Sequence, residues 1–193
     1  MSLFSLPRPM RLSGLLLAML PLGAAPLQAD EISDSLKSAL EAYEDGDNGY
    51  ALDELDYARQ MLMSLKTEEL GRFLPEAPDG WSKEVNPDIT SGLAMMGGGT
   101  AAEAEYYNDD EGMTLTLMAD NPIVASVSAM VANAAAFGAK IERVQREKFM
   151  LQDDVLQGMV DGRIMVKAEG GSPEAMKELV EKIDFGALRD FGR

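Results

Sequence analysis

The sequence contains no histidine and no cysteine. No disulfide can therefore form, and no zinc site of the Cys/His kind can be assembled. Serine-histidine and cysteine-histidine nucleophilic pairs are excluded for the same reason. Positive charge is scarce as well. Seventeen Lys and Arg stand against 33 Asp and Glu, a formal charge of -16, which repels phosphate backbones and argues against nucleic-acid binding. Hydrophobic residues nevertheless make up 46% of the 193, too many for a disordered acidic tail, so the chain has the material for a core. Nothing in the sequence carries a catalytic or cofactor-binding signature. The composition reads as a non-enzymatic protein that needs no cofactor.

Residues 1-29 have the pattern of a secretory signal peptide. Arg8 and Arg11 form the basic n-region, Leu12 to Leu20 an apolar run, and Pro21 and Gly23 break it ahead of Leu27-Gln28-Ala29. Alanine suits the small pocket of signal peptidase at the cut, and Asp30 opens an acidic mature chain. The apolar run is too short to cross about 30 Å of hydrocarbon, so no membrane anchor is expected after cleavage. There is no cysteine for a lipid anchor and no adjacent arginine pair of the twin-arginine type. The expected destination is a bacterial periplasm. Cleavage after Ala29 leaves 164 residues and, because both signal arginines are lost, lowers the charge to -18.

From Asp30 to Gly71 the spacing predicts two antiparallel helices. Ile32, Leu36, Ala39, Leu40 and Tyr43 fall on one stripe, and Ala51, Leu55, Ala58, Leu62 and Leu65 step by four and three as a seam for packing. Gly46 ends the first helix, and Asp47 or Asn48 caps the second. Ala39, Gly46-Asp47, Ala51, Leu55 and Ala58 resemble the small and apolar positions of one tetratricopeptide repeat. A single repeat cannot bury its own apolar faces. Either this hairpin packs on the rest of the chain, the expected arrangement, or it offers a face to another protein. Glu41, Glu44, Asp53, Glu54 and Asp56 occupy its outer faces and are candidate contact residues.

Residues 72-81, including FLPEAPDGW, read as a proline-rich linker. Beyond them, residues 82-193 change to period 2. Strands are predicted at Thr100-Tyr107 and around Met113-Leu117, with a polar turn at 108-112. Three further strands are predicted near Ile141-Phe149, Val155-Val160 and Arg163-Glu169, with a two-residue hairpin turn at Asp161-Gly162. A strand between Trp81 and Ile89 can only be an edge, because of Pro87. Ser172-Pro173-Glu174 starts a last helix with Met176, Leu179, Val180 and Ile183 on its apolar face. The fold class is α+β, a helical hairpin followed by a largely antiparallel sheet with two helices. From LPEAPDGW through MMGGG to KIDFGAL, this part resembles a family of exported bacterial proteins, and its order of elements is similar to the PsbP-type fold. Neither resemblance implies a catalytic residue.

Several constellations invite sharper chemistry. Asp45-Gly46-Asp47-Asn48-Gly49 begins like a calcium loop, but Tyr50 stands where the sharp-turn glycine belongs and Asp56 at the final ligand position. Met61 and Met63 are soft donors, yet they point about 200° apart on a helix. Met95-Met96 is a second soft pair. Gly97-Gly98-Gly99 lacks the lysine and Ser/Thr of a phosphate loop, and two Asp-Phe-Gly tripeptides (184-186 and 190-192) lack every other kinase element. Glu103 and Glu105 share one strand face and could act as acid and base, though a solvated sheet face is the simpler reading.

The stretch Asn121-Ala139 has no charge. Its single proline, Pro122, its serines and its small residues suit a core helix, expected to lie between the sheet and the hairpin, better than a membrane span. The function expected is that of an exported accessory protein that binds another envelope protein. The hairpin acids and Glu103 and Glu105 are its candidate surface. The alternative is a carrier of a small apolar ligand or lipid beside residues 122-137.

Overall fold

The computed structural model describes residues 25-89, 92-93 and 98-193. Residues 1-24 of the expected signal peptide, the Met95-Met96 pair and Gly97 lie outside them. Helix α1 (Ala25-Glu44) runs through the expected cleavage site at Ala29, so cleavage would shorten it by five residues to begin at Asp30. Helix α2 (Asn48-Gly71) returns antiparallel to it. The turn between them is a Schellman closure: Asp47 N-H donates to Ala42 O at 2.9 Å and Gly46 N-H to Tyr43 O at 3.1 Å. Gly46 supplies the left-handed φ of +84° that this closure needs. Asp47 then accepts from Tyr50 N-H at 3.0 Å as the N-cap of α2.

Small side chains form the helix crossing. Ser35, Ala39, Ala42, Ala51 and Ala58 are buried there together with Ile32. The predicted leucine seam is not a seam: Leu36, Leu40, Leu55 and Leu62 are all exposed. The reason is steric. Helix backbones that approach over alanines leave the longer side chains of the same stripe beside the contact instead of within it. The hairpin is fastened to the rest of the protein through the C-terminal end of α2, which packs on the sheet and sends Leu70 into its core.

The sheet has seven antiparallel strands: β1 (Ser82-Val85), β2 (Thr100-Tyr107), β3 (Gly112-Ala119), β4 (Lys140-Val144), β5 (Glu147-Gln152), β6 (Val155-Val160) and β7 (Ile164-Glu169). Their spatial order is β1-β2-β3-β7-β6-β5-β4. Two meanders therefore meet at the β3-β7 pair, and the chain must cross from the middle of the sheet to its far edge between β3 and β4. Helix α3 (Pro122-Ala132) makes that crossing over β7, β6 and β5. Asn121 is its N-cap and Pro122 occupies the first turn. A 3-10 turn (Ala134-Phe137) follows before Gly138, so the helix ends earlier than the uncharged stretch does. Helices α4 (Pro173-Glu181) and α5 (Phe185-Leu188) complete the fold.

The sheet's front face holds the main core. Ala102, Ala104 and Tyr106 of β2, Leu115 and Leu117 of β3, and Val166 of β7 pack under Leu70 and under Met176, Leu179 and Val180 of α4. The two Asp-Phe-Gly tripeptides belong here. Asp184 caps α5 by accepting from Ala187 N-H at 3.0 Å, Phe185 stacks on Phe149 at 6.0 Å, and Phe191 meets Phe73 edge-on at 6.4 Å. The back face carries a smaller core of Ala101, Met118, Met150, Met159 and Met165 beneath Val124, Val127 and Val131 of α3. Methionines fill these positions, as gap-filling side chains do.

Two details differ from expectation. Residues 141-149 form two strands, not one. Gln145 turns the chain with φ +53°, and its side-chain amide donates to the Glu181 and Ile183 carbonyls at 3.0 and 2.7 Å. That long-range anchor replaces the glycine or asparagine signal of a tight turn. Second, α3 is not enclosed between sheet and hairpin. The hairpin attaches through the front face and α3 lies on the back, leaving Ala125, Ser126, Ala129 and Met130 exposed. An uncharged helix can have a wet side when that side is alanine and serine.

Candidate functional site

The hairpin presents two grooves that share no residue. One is apolar, about 510 Å³, lined by Leu36, Ala39, Leu40, Tyr43, Asn48, Ala51, Leu52 and Leu55. Ala39 and Ala51 form its floor, buried in the crossing. Its walls are open to water: Leu40 is 57% exposed, Tyr43 67% and Leu52 64%. Leu62, also exposed, extends the apolar line along α2. These are large side chains on a part of the molecule that, among the described residues, joins the sheet through α2's far end. Exposed apolar surface of this kind is found at contact sites and ligand grooves.

The other groove is polar, with Ser38, Glu41, Ala42, Asp45, Asp47 and Tyr50 around it. Its tyrosine, Tyr50, and Tyr57 farther along α2 are both tied to carboxylates. Tyr57 O-H donates to Glu31 Oε1 at 2.8 Å, joining the start of α1 to α2, and a hydrogen bond to Glu54 holds Tyr50. Both phenols are pushed above their ordinary value of 10.0, chiefly by those hydrogen bonds. The Asp45-Asp47 segment is the turn of the hairpin, its backbone and Asp47 carboxylate committed to capping.

The predicted contact acids divide between the two sides. Glu44 follows Leu40 by four residues and Asp56 follows Leu52 by four, so both stand at the rim of the apolar groove, with Asp53 one turn before Asp56. Glu41 lines the polar groove, and Glu54 reaches Tyr50 on that side. Glu103 and Glu105 are remote from both, on the back face of β2. Among the described residues Glu103 is paired with no cation. It accepts from the Asn86 amide at 2.9 Å and from Thr116 O-H at 2.8 Å, while Lys167, one strand farther, pairs with Glu169 at 2.5 Å.

Glu103 also lies at the floor of a third groove of about 340 Å³, where the open end of the back face meets α3. Ile123, Val127, Met118 and Met165 make one wall, and the cross-strand row Glu103, Thr116, Lys167 and Gln157 makes the floor. This is a half-polar cleft, not an apolar cavity.

The apolar walls Leu36, Leu40, Tyr43, Leu52 and Leu55 were absent from the expected contact set, which held only acids. Their signal was nonetheless in the sequence. Two apolar stripes on a lone helical pair are one more than a single crossing can cover. Among the described residues no helix is long and apolar enough to cross a membrane. Compared with protein-family models, curated proteins and solved structures, the chain has no significant match in any of the three.

Proposed function

We propose that this chain is an exported accessory protein of the bacterial envelope that works by binding another protein through its helical hairpin. The observation that supports the reading is the open apolar groove between α1 and α2. Fully burying a leucine is worth about 1.5-3 kcal/mol, so a partner that covers the exposed Leu36, Leu40, Leu52 and Leu55 gains a useful affinity. The α+β domain serves as the anchor of the hairpin. Leu70, Leu74 and Phe73 join the two parts, so the groove is held at a fixed place relative to the sheet. The tetratricopeptide-like spacing of Ala39, Ala51 and Ala58 fits this use, because alanines at the crossing are what leave the leucines outside. The signal-peptide pattern supplies the location.

The test compares the wild-type chain with a Leu40→Ser, Leu52→Ser variant as cross-linking baits in periplasmic extract. Any protein captured is then purified and its binding to both chains measured. A specific partner should bind the wild type and lose most of its affinity for the variant. Equal binding to both would remove the groove from the function.

A second reading, ligand carriage beside α3, is favoured by the cleft at Ile123 and Val127. Its polar floor calls for an amphipathic molecule instead of a purely apolar one. Stoichiometric uptake of a fatty acid that is lost in a Val127→Asp variant would support it.

A further inference from the structure

The charge around the hairpin groove indicates what kind of protein segment it takes. Residues 30-65 contain ten acidic and two basic side chains, a net charge of -8 in 36 residues, against -10 across the following 128. Neither cation is free. Lys37 pairs with Asp34 at 3.0 Å and Arg59 with Asp56 at 3.3 Å, both within their own helices. Arg59, four residues after Leu55, offsets Asp56 at one end of the groove, and the remaining acidic excess of the hairpin makes the surround of the hydrophobic floor negative.

Three classes of occupant can be compared on that basis. A second copy of the chain would bring the same negative rim to within a Debye length of about 8 Å and be repelled. An anionic membrane surface would be repelled in the same way. Strand addition is poorly served by the sheet, whose outer strands are the four-residue β1, followed by Pro87, and β4, which carries Lys140, Glu142 and Arg143. What remains favourable is a segment with an apolar stripe and flanking positive charge. Leu36 to Tyr43 covers eight residues of helix, a rise of about 10 Å, enough to receive two turns of a partner helix through residues at i, i+3 or i+4, and i+7.

We infer that the α1-α2 groove docks a cationic amphipathic helix of its partner, with leucine-type anchors between Leu40 and Leu52 and Lys or Arg facing Glu44, Asp53 and Asp56. This rests on the hairpin being the binding element and adds the chemistry of what it binds.

The experiment uses the purified full chain and two labelled synthetic helices of about five turns. They share one leucine stripe and differ only in having Lys or Glu at the flanking positions. Fluorescence anisotropy should show one Lys-type helix bound per chain, weakening about tenfold or more between low salt and physiological ionic strength, and little binding of the Glu-type helix. Asp53→Lys with Asp56→Lys should weaken the Lys-type helix about tenfold at low salt, and Leu40→Ser with Leu52→Ser should abolish its binding. Asp109→Lys with Asp110→Lys, the same charge change in the exposed β2-β3 turn, should change nothing and so controls for general attraction to an acidic protein. Circular dichroism checks that each variant keeps its helices. Equal binding of both helices would overturn the charge inference and leave the groove reading standing. Binding of neither would overturn the inference, with the cross-linking comparison then deciding the groove. Dimerisation in sedimentation that Leu40→Ser with Leu52→Ser removes would assign the groove to a second copy and overturn it too.

Discussion

Tyr106 donates its phenolic hydrogen to the carbonyl oxygen of Pro75 at 2.7 Å. The ring is fully buried in the front-face core, and the acceptor lies in the connector between the hairpin and the sheet. Beside it, Lys83 donates to Leu74 O at 3.0 Å. Two side chains of neighbouring strands thus fasten the segment that carries the hairpin, so the stretch read as a linker is a packed part of the domain. Burial pushes the Tyr106 phenol well above its ordinary value of 10.0.

Tyr106→Phe keeps the ring and orphans the Pro75 carbonyl, which should cost about 1-3 kcal/mol and lower the thermal midpoint. The raised value adds a second readout. A phenol that is harder to ionise in the folded state contributes stability that is complete below about pH 10 and is lost as pH rises through the folded value. An alkaline absorbance titration of the wild type should therefore show one tyrosine ionising only as the protein unfolds. That component should be missing from Tyr106→Phe. Its persistence in the variant would show that Tyr106 is not the protected phenol.

The hairpin makes opposite predictions for two residues of α2 six positions apart. Ala58 is 1% exposed in the crossing, and Ala58→Leu should overpack it by about 1-3 kcal/mol. Leu52 stands in water, and Leu52→Ser should alter stability by no more than about 0.5 kcal/mol. Urea denaturation of both variants checks this. A large loss at Leu52 would mean that the groove is closed in solution.

Much of this architecture is legible in the sequence because the patterns that encode it are local. Alternation over Thr100-Tyr107, the Ser172-Pro173 start of α4 and the Gly46-Asp47 turn each depend on neighbouring residues, and each is where the pattern puts it. Pro87 correctly limits β1 to an edge. What was not legible depends on distant partners. The bend at Gln145 is held by carbonyls 36 and 38 residues away. The exposure of α3 depends on which sheet face the hairpin uses, and that choice is made by Leu70 reaching the front-face core. Similarly, Asp161-Gly162 makes its turn, but Val160 pairs with Ile164, so Arg163 lengthens the loop. Its guanidinium donates to the Arg189 and Phe191 carbonyls at 3.1 and 3.2 Å. For the site, the stripe Leu36-Leu40-Tyr43 was visible, while its remaining uncovered was a tertiary fact.

Acid sensitivity should be traceable to the β4 edge. The Lys140 ammonium, hydrogen-bonded to Glu142, holds that carboxyl below its ordinary 4.5, and Lys177 adds to the effect. A depressed carboxylate stabilises the fold above its unfolded value and loses that contribution as pH falls through its folded value. Wild type should therefore exceed Glu142→Gln in thermal midpoint at about pH 6, and the difference should shrink towards about pH 3. High salt should reduce the difference at neutral pH, because the Lys140 end of the pair is solvent-exposed. A difference independent of pH would show that shape, not charge, is what Glu142 supplies.

Gly158 is required by contact, not by a left-handed backbone. A Cβ there would lie 2.7 Å from Cγ and Cδ1 of Phe149 and 2.8 Å from the Lys148 carbonyl oxygen. Phe149 cannot retreat freely, since it is fully buried and its other side stacks on Phe185 with planes 13° apart. Gly158→Ala must therefore shift a strand or displace an aromatic pair, at about 1-3 kcal/mol despite adding one methyl group. If the ring is the obstacle, removing it should relieve the strain. In a double-mutant cycle Gly158→Ala should cost less on a Phe149→Ala background than on the wild type. The cycle should also leave helix binding at the hairpin groove unchanged, because neither residue lines it. Additive costs would transfer the penalty from the ring to the Lys148 carbonyl, which Phe149→Ala leaves in place.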